Sequence, residues 1–471
     1  MLFNSLAFLA FFPVVCLLYW LLPPKYRNGF LLLSSYYFYM SWKPVYGLLI
    51  LFSTLVTWLS GIYIGQQRER RRKKAALTLA LASNFSLLFF FKYWGFFGES
   101  VNYLLDRWNL RIQFPFSSIL LPIGISFYTF QTVAYVIDVY RKEIEPERNF
   151  LTYALFVSFF PQLVAGPIER AKNLLPQFRY SHSFDDGQFL EGIRTMAWGY
   201  FMKLCIADRV APYVDAVFDN YRMHNGTSLL LGAFFFTFQI FCDFGGYSLI
   251  ALGTAQCLRF RLTSNFERPY LSSNVQIFWR RWHRSLSSWF MDYVYIPLGG
   301  NRCNLPRHLL NLLLTFAISG LWHGANWTFL VWGILHGIFM MLSVLMHKLW
   351  PPAQSNASLR RAANIVFTFV LVLFSWIFFR ASHIATAWII LKKIFTEQGA
   401  LYKGQGLPEL LLAFLCIGLL MFKEIKEEAG MNIHFIHSKN TIVSTISLSL
   451  LIAFILLFAE FSGNAFIYFQ F

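Results

Sequence analysis

Charge is what this sequence has least of. Only 13% of its 471 residues are Asp, Glu, Lys or Arg, against about 25% in an average soluble domain. A chain of this length cannot build a water-facing shell from so few charges, which excludes a soluble globular protein and points to an outer surface that meets lipid. Cysteine is sparse and scattered: Cys16, Cys205, Cys242, Cys257, Cys303 and Cys416 show no CxxC spacing, so neither a disulfide framework nor a zinc site is expected, and no metal. P-loop, GxSxG, zincin and dinucleotide fingerprints are all missing. No fixed-period repeat is visible, and no stretch is long and polar enough to form a separate soluble domain.

Apolar and aromatic residues fill the space: 57% of the chain is hydrophobic, with 54 Phe and 15 Trp. A net charge of +17 raises nucleic acid as a partner. The basic residues, however, fall in short clusters between apolar stretches and make no single stripe, so no nucleic-acid binding is expected. The run Arg68 to Lys74 carries six basic residues against Glu69 and suits a cytoplasmic loop beside anionic headgroups.

Apolar stretches recur at about 2–22, 29–65, 75–97, 117–140, 150–168, 189–218 and 228–254, and after a polar interval at about 307–347, 362–379, 383–395, 407–422 and 441–461. The first has no basic residue before it and no small-residue cleavage pattern after it, so it is expected to be a retained helix. The fold expected is an all-α polytopic membrane protein with about 10–12 crossings. It would form one membrane domain, 1–471: N-terminal helices over 1–150, a core over 151–347 and C-terminal helices over 348–471. The segment 191–218, which carries Arg194, Lys203, Asp208 and Arg209, should lie at the interface or against other helices.

Four segments carry the chemistry. In FWRRWHRSLSSWF, Phe278 to Phe290, placing Arg280, Arg281 and Arg284 at the bilayer centre would cost on the order of 2.5–3.5 kcal/mol each. The segment therefore belongs at an interface or beside a protein-walled, water-reachable cavity. Treated as one helix, it sets Trp279, Trp282, Leu286, Trp289, Phe290 and Tyr293 on one arc with Arg281, Arg284, Ser288 and Asp292 opposite, and His283 at the margin. The plain reading is an interfacial helix with its aromatic face in lipid. The sharper one is a set of arginines meeting donor phosphates while His283 borders an acyl path.

The segment SGLWHGANWTFLVWGILHG, Ser319 to Gly337, embeds His323 and His336 in an apolar run, and an ionisable side chain at that depth is a functional hypothesis by default. On one helix His323 shares a face with Asn326, Trp327, Leu330 and Gly337, and His336 points about 140° away, so His336 is assigned to structure. An imidazole held out of water stays neutral and can take a proton near neutral pH, as a general base for hydroxyl attack must. Asp243, just before Gly245 and Gly246, is expected to pair with a basic residue or a backbone nest at a glycine break. The run FPQLVAGPIER, Phe160 to Arg170, suits a span ending in a Gly166–Pro167 turn with Glu169 and Arg170 at the interface.

With FPQLVAGPIER, the DFGGYS run, RPYLSSNVQIFWRRWHRSLSSWFMDYVYIPLGGNR and GLWHGANWTFLVWGILHG in order across about 160–340, the chain resembles the membrane-bound O-acyltransferase family, and within it the bacterial branch for alginate O-acetylation and D-alanyl transfer to lipoteichoic acid. The resemblance implies a helical bundle around a central tunnel, with interfacial or re-entrant helices, where a cytoplasmic thioester donor meets an extracytoplasmic hydroxyl acceptor. It makes His323 the principal catalytic residue and His283 the second; the reading of the residues themselves adds Asn326, Trp322 and Asp292 as supporting groups and Arg280, Arg281 and Arg284 at the donor. Many relatives have an acidic residue where this chain has Leu249 and a serine where it has Gly245, so no role of those positions is carried over.

The activity expected is transfer of an acyl group, acetyl before D-alanyl, from a thioester co-substrate to a polysaccharide or partner-protein hydroxyl. That co-substrate would be acetyl-CoA or an acyl-carrier phosphopantetheine, with no bound cofactor. An extracytoplasmic SGNH-type acyltransferase is the expected partner and the cell membrane the location. A lipid or sugar transporter without chemistry is the rival, but it predicts related halves that the sequence does not show. A scaffold that only anchors a transferase would have little reason to bury His323 beside Asn326.

Overall fold

In a computed structural model of the chain, residues 1–110, 112–116, 121–164, 166–349, 357–431, 435–460 and 466–467 are described; the start of the apolar stretch 117–140 and Ala165 of FPQLVAGPIER lie outside them. Among the described residues every regular element is helical and there is no strand. Six helices among the described residues are long and apolar enough to cross a bilayer: Tyr46–Gln66, Arg70–Arg107, Gly226–Cys257, Trp327–Leu349, Ser358–Arg380 and Thr441–Phe458. To reach the ten to twelve crossings expected, shorter or more polar helices would have to be counted, such as Leu6–Leu21 and Leu407–Glu428. Lipid is the natural neighbour of Thr441–Phe458, where Leu450, Leu456 and Leu457 are 66%, 70% and 76% exposed.

Contacts divide the chain into two units, residues 1–193 with 251–263 and residues 194–250 with 264–471. In the first, polar side chains join apolar helices: Ser53 Oγ donates to Asn84 Oδ1 at 2.5 Å and the Tyr153 hydroxyl to Thr57 Oγ1 at 2.8 Å, all buried. Where lipid cannot solvate a hydroxyl, such bonds fix which helix faces meet. The basic run expected as a loop is helical from Arg70 onward.

Glu169, expected at the interface, also belongs to this unit. It is 1% exposed, buried within the protein. Thr263 donates to it through its backbone N–H and, at 3.2 Å, its hydroxyl. Burial pushes the Glu169 carboxyl up to about 7, against the opposing pull of the Thr263 bonds.

The second unit holds every candidate site residue. Its first segment includes a π-helical turn, Phe201–Ala207, followed by Asp208–Asp219. Within it Lys203 lies 2.8 Å from Asp208 and 2.5 Å from Asp243, all three buried. The basic partner expected for Asp243 is therefore Lys203. The expected glycine break is not there: Gly226–Cys257 runs unbroken through Gly245 and Gly246. Gly246 serves close packing instead, since a Cβ there would stand 2.7 Å from the Gly199 carbonyl oxygen.

Candidate functional site

Two helix breaks build the site. The stretch treated as one helix over 278–290 is two, Val275–Arg281 and Arg284–Phe290, separated by an extended Trp282 and a left-handed His283 at φ 42°, ψ 55°. No glycine or proline causes this break, and a non-glycine residue with positive φ persists only where its surroundings impose it. Asn265 supplies the restraint. Its carbonyl accepts from Arg284 N–H at 2.9 Å, its Oδ1 accepts from Ser285 Oγ at 2.7 Å, and its Nδ2 donates to Ser248 Oγ at 3.1 Å. The next strap is Glu267 N–H to the Arg281 carbonyl, 3.0 Å. Nothing in the sequence reading singled out Asn265.

The second break falls in WHGANW. Leu305–His323 ends on His323, Gly324 is extended, and Trp327–Leu349 starts afresh. His323 and His336 thus lie on different helices, which corrects the single-helix projection. The pair form a tight hairpin: a Cβ on Gly320 would stand 2.3 Å from the Phe329 carbonyl oxygen, and one on Gly333 equally close to that of Phe316. Such contact lets two backbones meet without intervening side chains and fixes His323 at the hairpin's closed end.

The breaks deliver His283 and His323 to one place. Their ring centroids are 6.3 Å apart, and both side chains are buried. Trp322 stands 5.1 Å from His323 and 6.0 Å from His283, while Trp332 and Phe379 close the other sides of His323 at 5.0 and 5.6 Å. Of the aromatic arc expected to face lipid, Trp279, Trp282, Leu286, Trp289 and Phe290 are instead buried inside the protein, and Tyr293 is half-buried. Trp279, Leu286 and Phe290 of this arc line the cavity that Arg280 and Arg284 also line.

The remaining candidates separate. Asn326 Nδ2 donates to the Ser382 carbonyl at 3.0 Å and its Oδ1 accepts from Thr328 N–H at 3.1 Å, so the side chain caps the second helix of the hairpin. Asp292 lies half-buried on a π-helical turn, Met291–Tyr295, beyond the His283 helix. Arg281 is bonded to Glu428 at 3.0 Å, and Arg284 to Glu267 at 2.8 Å. Arg268 and Arg361 also reach Glu428, at 2.9 and 2.6 Å. Among the described residues Arg280 has no carboxylate partner. His336 is structural: its Nδ1 accepts from Trp279 Nε1–H at 3.3 Å, which leaves Nε2 to donate to Ser375 Oγ at 3.0 Å.

A cavity of about 670 Å³, which neither His283 nor His323 lines, has Arg280, Arg284, Ser287 and His308 at polar points and Trp279 and Leu312 among its apolar ones. Ser319, one helical turn before His323, also lines it, and Arg284 follows His283 directly. Arg281 is absent from that lining. Among the described residues no group of His, Cys, Asp and Glu could hold a metal ion.

Residues 141–384 match the MBOAT, membrane-bound O-acyltransferase family. The chain belongs to this family. Its similarity to a protein named "Probable alginate O-acetylase AlgI" from Azotobacter vinelandii is 39% identity, covering 84% of this chain and 78% of that one. A peptidoglycan O-acetyltransferase of Helicobacter pylori is 34% identical, with 83% and 79% covered. A teichoic acid D-alanyltransferase of Bacillus subtilis is 26% identical over 55% and 68%. This chain is therefore a multi-pass membrane O-acyltransferase, and both histidine segments lie within the matched region.

Proposed function

We propose that this membrane-bound O-acyltransferase moves an acetyl group from a phosphopantetheine-type thioester to a hydroxyl of an extracytoplasmic polymer, with His323 as general base. The observation that carries this reading is the convergence of His323 and His283, 6.3 Å apart, with Arg284 and Ser319, near them in the chain, lining a cavity that Arg280 also edges. The buried His323 imidazole takes the acceptor hydroxyl's proton as its oxygen attacks the thioester carbonyl. The new C–O bond forms, the C–S bond breaks, and the leaving thiolate recovers the proton from the imidazolium. His283 orients the reacting carbonyl or stabilises its developing oxyanion. The arginines suit the phosphates of acetyl-CoA or of an acyl-carrier arm.

Acetyl is favoured over D-alanyl because the relatives named for O-acetylation are the more similar and are covered over more of their length. A polysaccharide or cell-wall polymer is the acceptor class that those names support. We assign the cell membrane as its location and propose an extracytoplasmic SGNH-type acyltransferase as a partner. Acetyl incorporation into polymer, measured in membranes with matched expression of wild type and His323→Ala, tests the reading. Near-normal turnover in the variant would remove His323 from the mechanism.

A further inference from the structure

The buried charges of the second unit lead to a strap behind His283. Lys203 lies between Asp208 and Asp243 at 2.8 and 2.5 Å, with side chains only 1–5% exposed. Removing one member of such a cluster leaves an uncompensated buried charge, although an apolar replacement of the whole set is often neutral. Stability alone is thus a weak reason for its presence. The second oxygen of Asp243 is also engaged: Oδ2 accepts the backbone N–H of Ile467 at 2.6 Å. A few residues earlier, Glu460 N–H donates to the Leu204 carbonyl at 3.0 Å, on the π-helical turn that carries Lys203.

The Ile467 anchor holds its neighbour Phe466 in place. Its ring is fully buried, stacked on Tyr247 at 4.8 Å and tilted against Phe244 at 5.6 Å. Tyr247 and Phe244 are three residues apart on one helix and share a face. Lys203 Nζ lies 5.5 Å from the Tyr247 ring, which joins the charge cluster to the stack. Phe244 meets His283 edge-on at 4.6 Å, with the planes at 86°. A continuous series of contacts therefore runs from Asp243 and Ile467 through Phe466 and Phe244 to the imidazole.

We propose that the Phe466–Ile467 segment, fastened by Asp243, is a positioning strap that sets the ring of His283 for acyl transfer. The inference rests on His283 belonging to the reacting site. His283 stands in a left-handed backbone conformation at a helix start, where the backbone alone leaves the ring room to rotate about χ1 and χ2. Asn265 restrains the backbone, and Phe244, backed by Phe466, restrains the ring. Small misplacements of a reacting group reduce turnover steeply without weakening substrate binding.

The test measures kcat, donor KM and thermal stability for Phe466→Ala and Phe466→Leu beside His283→Ala, in the full-length protein. Phe466→Ala opens space behind Phe244; its kcat should fall about tenfold or more with donor KM within about twofold of wild type. Phe466→Leu refills most of the volume, and its kcat should return to within about threefold. A strap that only holds the fold predicts otherwise: activity would follow the amount of folded protein in both variants, with kcat per folded molecule unchanged. That result, or a Phe466→Ala kcat within twofold of wild type, overturns the proposal. If His283→Ala is inactive in that same case, the site stands and only the strap is lost; a fully active His283→Ala removes the site reading and the strap together.

Discussion

His283 and His323 face one another across 6.3 Å from helix ends that terminate for different reasons. His323 closes one helix at a Gly324 and Asn326 turn, whereas His283 opens another in a left-handed conformation held by Asn265. Their roles should separate in turnover. His323→Ala deletes the base and is expected to lower kcat by about 10²–10⁴-fold. His283→Ala should lower it by about 10²-fold, with both proteins inserted and folded. Radiolabelled acetyl transfer at matched expression checks this, and equal, small losses at both positions would contradict it.

His336→Ala should behave differently, because His336 joins Trp279 to Ser375 and does not meet the reacting groups. The substitution leaves a buried indole N–H without its acceptor, which costs about 1–3 kcal/mol. Thermal stability should fall while kcat per folded molecule stays within about fivefold. A loss of turnover as large as that of His323→Ala, at unchanged stability, would place His336 in the chemistry.

How far the sequence disclosed this site depends on what made each helix stop. Gly324 and Asn326 are ordinary stop and cap residues, so the break after His323 was legible, yet the apolar run on either side carried the helix projection through it. The break at His283 has no such signal. It is made by Asn265 and Ser248 reaching in from elsewhere in the chain, and no local window contains them. Lipid is the second reason. In a soluble protein the Trp279, Trp282 and Trp289 arc would have identified a core, but in a bilayer an aromatic face can look outward or inward. The amount of apolar surface does not choose between the two.

The arginines should sort by partner. Arg280 lines the cavity and is exposed, so Arg280→Glu should raise donor KM more than it lowers kcat, by a factor that shrinks as salt screens the wild-type attraction. Arg281 is held by Glu428. Arg281→Glu sets two carboxylates together and should lower thermal stability with donor KM unchanged. Donor titrations on both purified variants at low and high salt check the division. A salt-dependent KM change at Arg281 alone would reverse it.

Glu169 gives a pH signature of its own. Its folded carboxyl titrates near 7, raised from an ordinary value of 4.5 by burial. Between those two pH values the folded protein holds a proton that the unfolded chain has lost, so this group's contribution to stability is full below about 4.5 and falls away as pH rises through 7. Glu169→Gln cannot ionise and keeps an oxygen to accept the Thr263 N–H. It should therefore match wild type near pH 5 and exceed it near pH 8, by on the order of 2 kcal/mol. The sign distinguishes this from an ordinary paired carboxylate, whose loss would weaken the protein most at high pH. Melting temperatures of wild type and Glu169→Gln in detergent at pH 5, 6.5 and 8 provide the measurement. A variant less stable than wild type at pH 8 would mean that Glu169 works as an anion there, held by its Thr263 bonds despite burial.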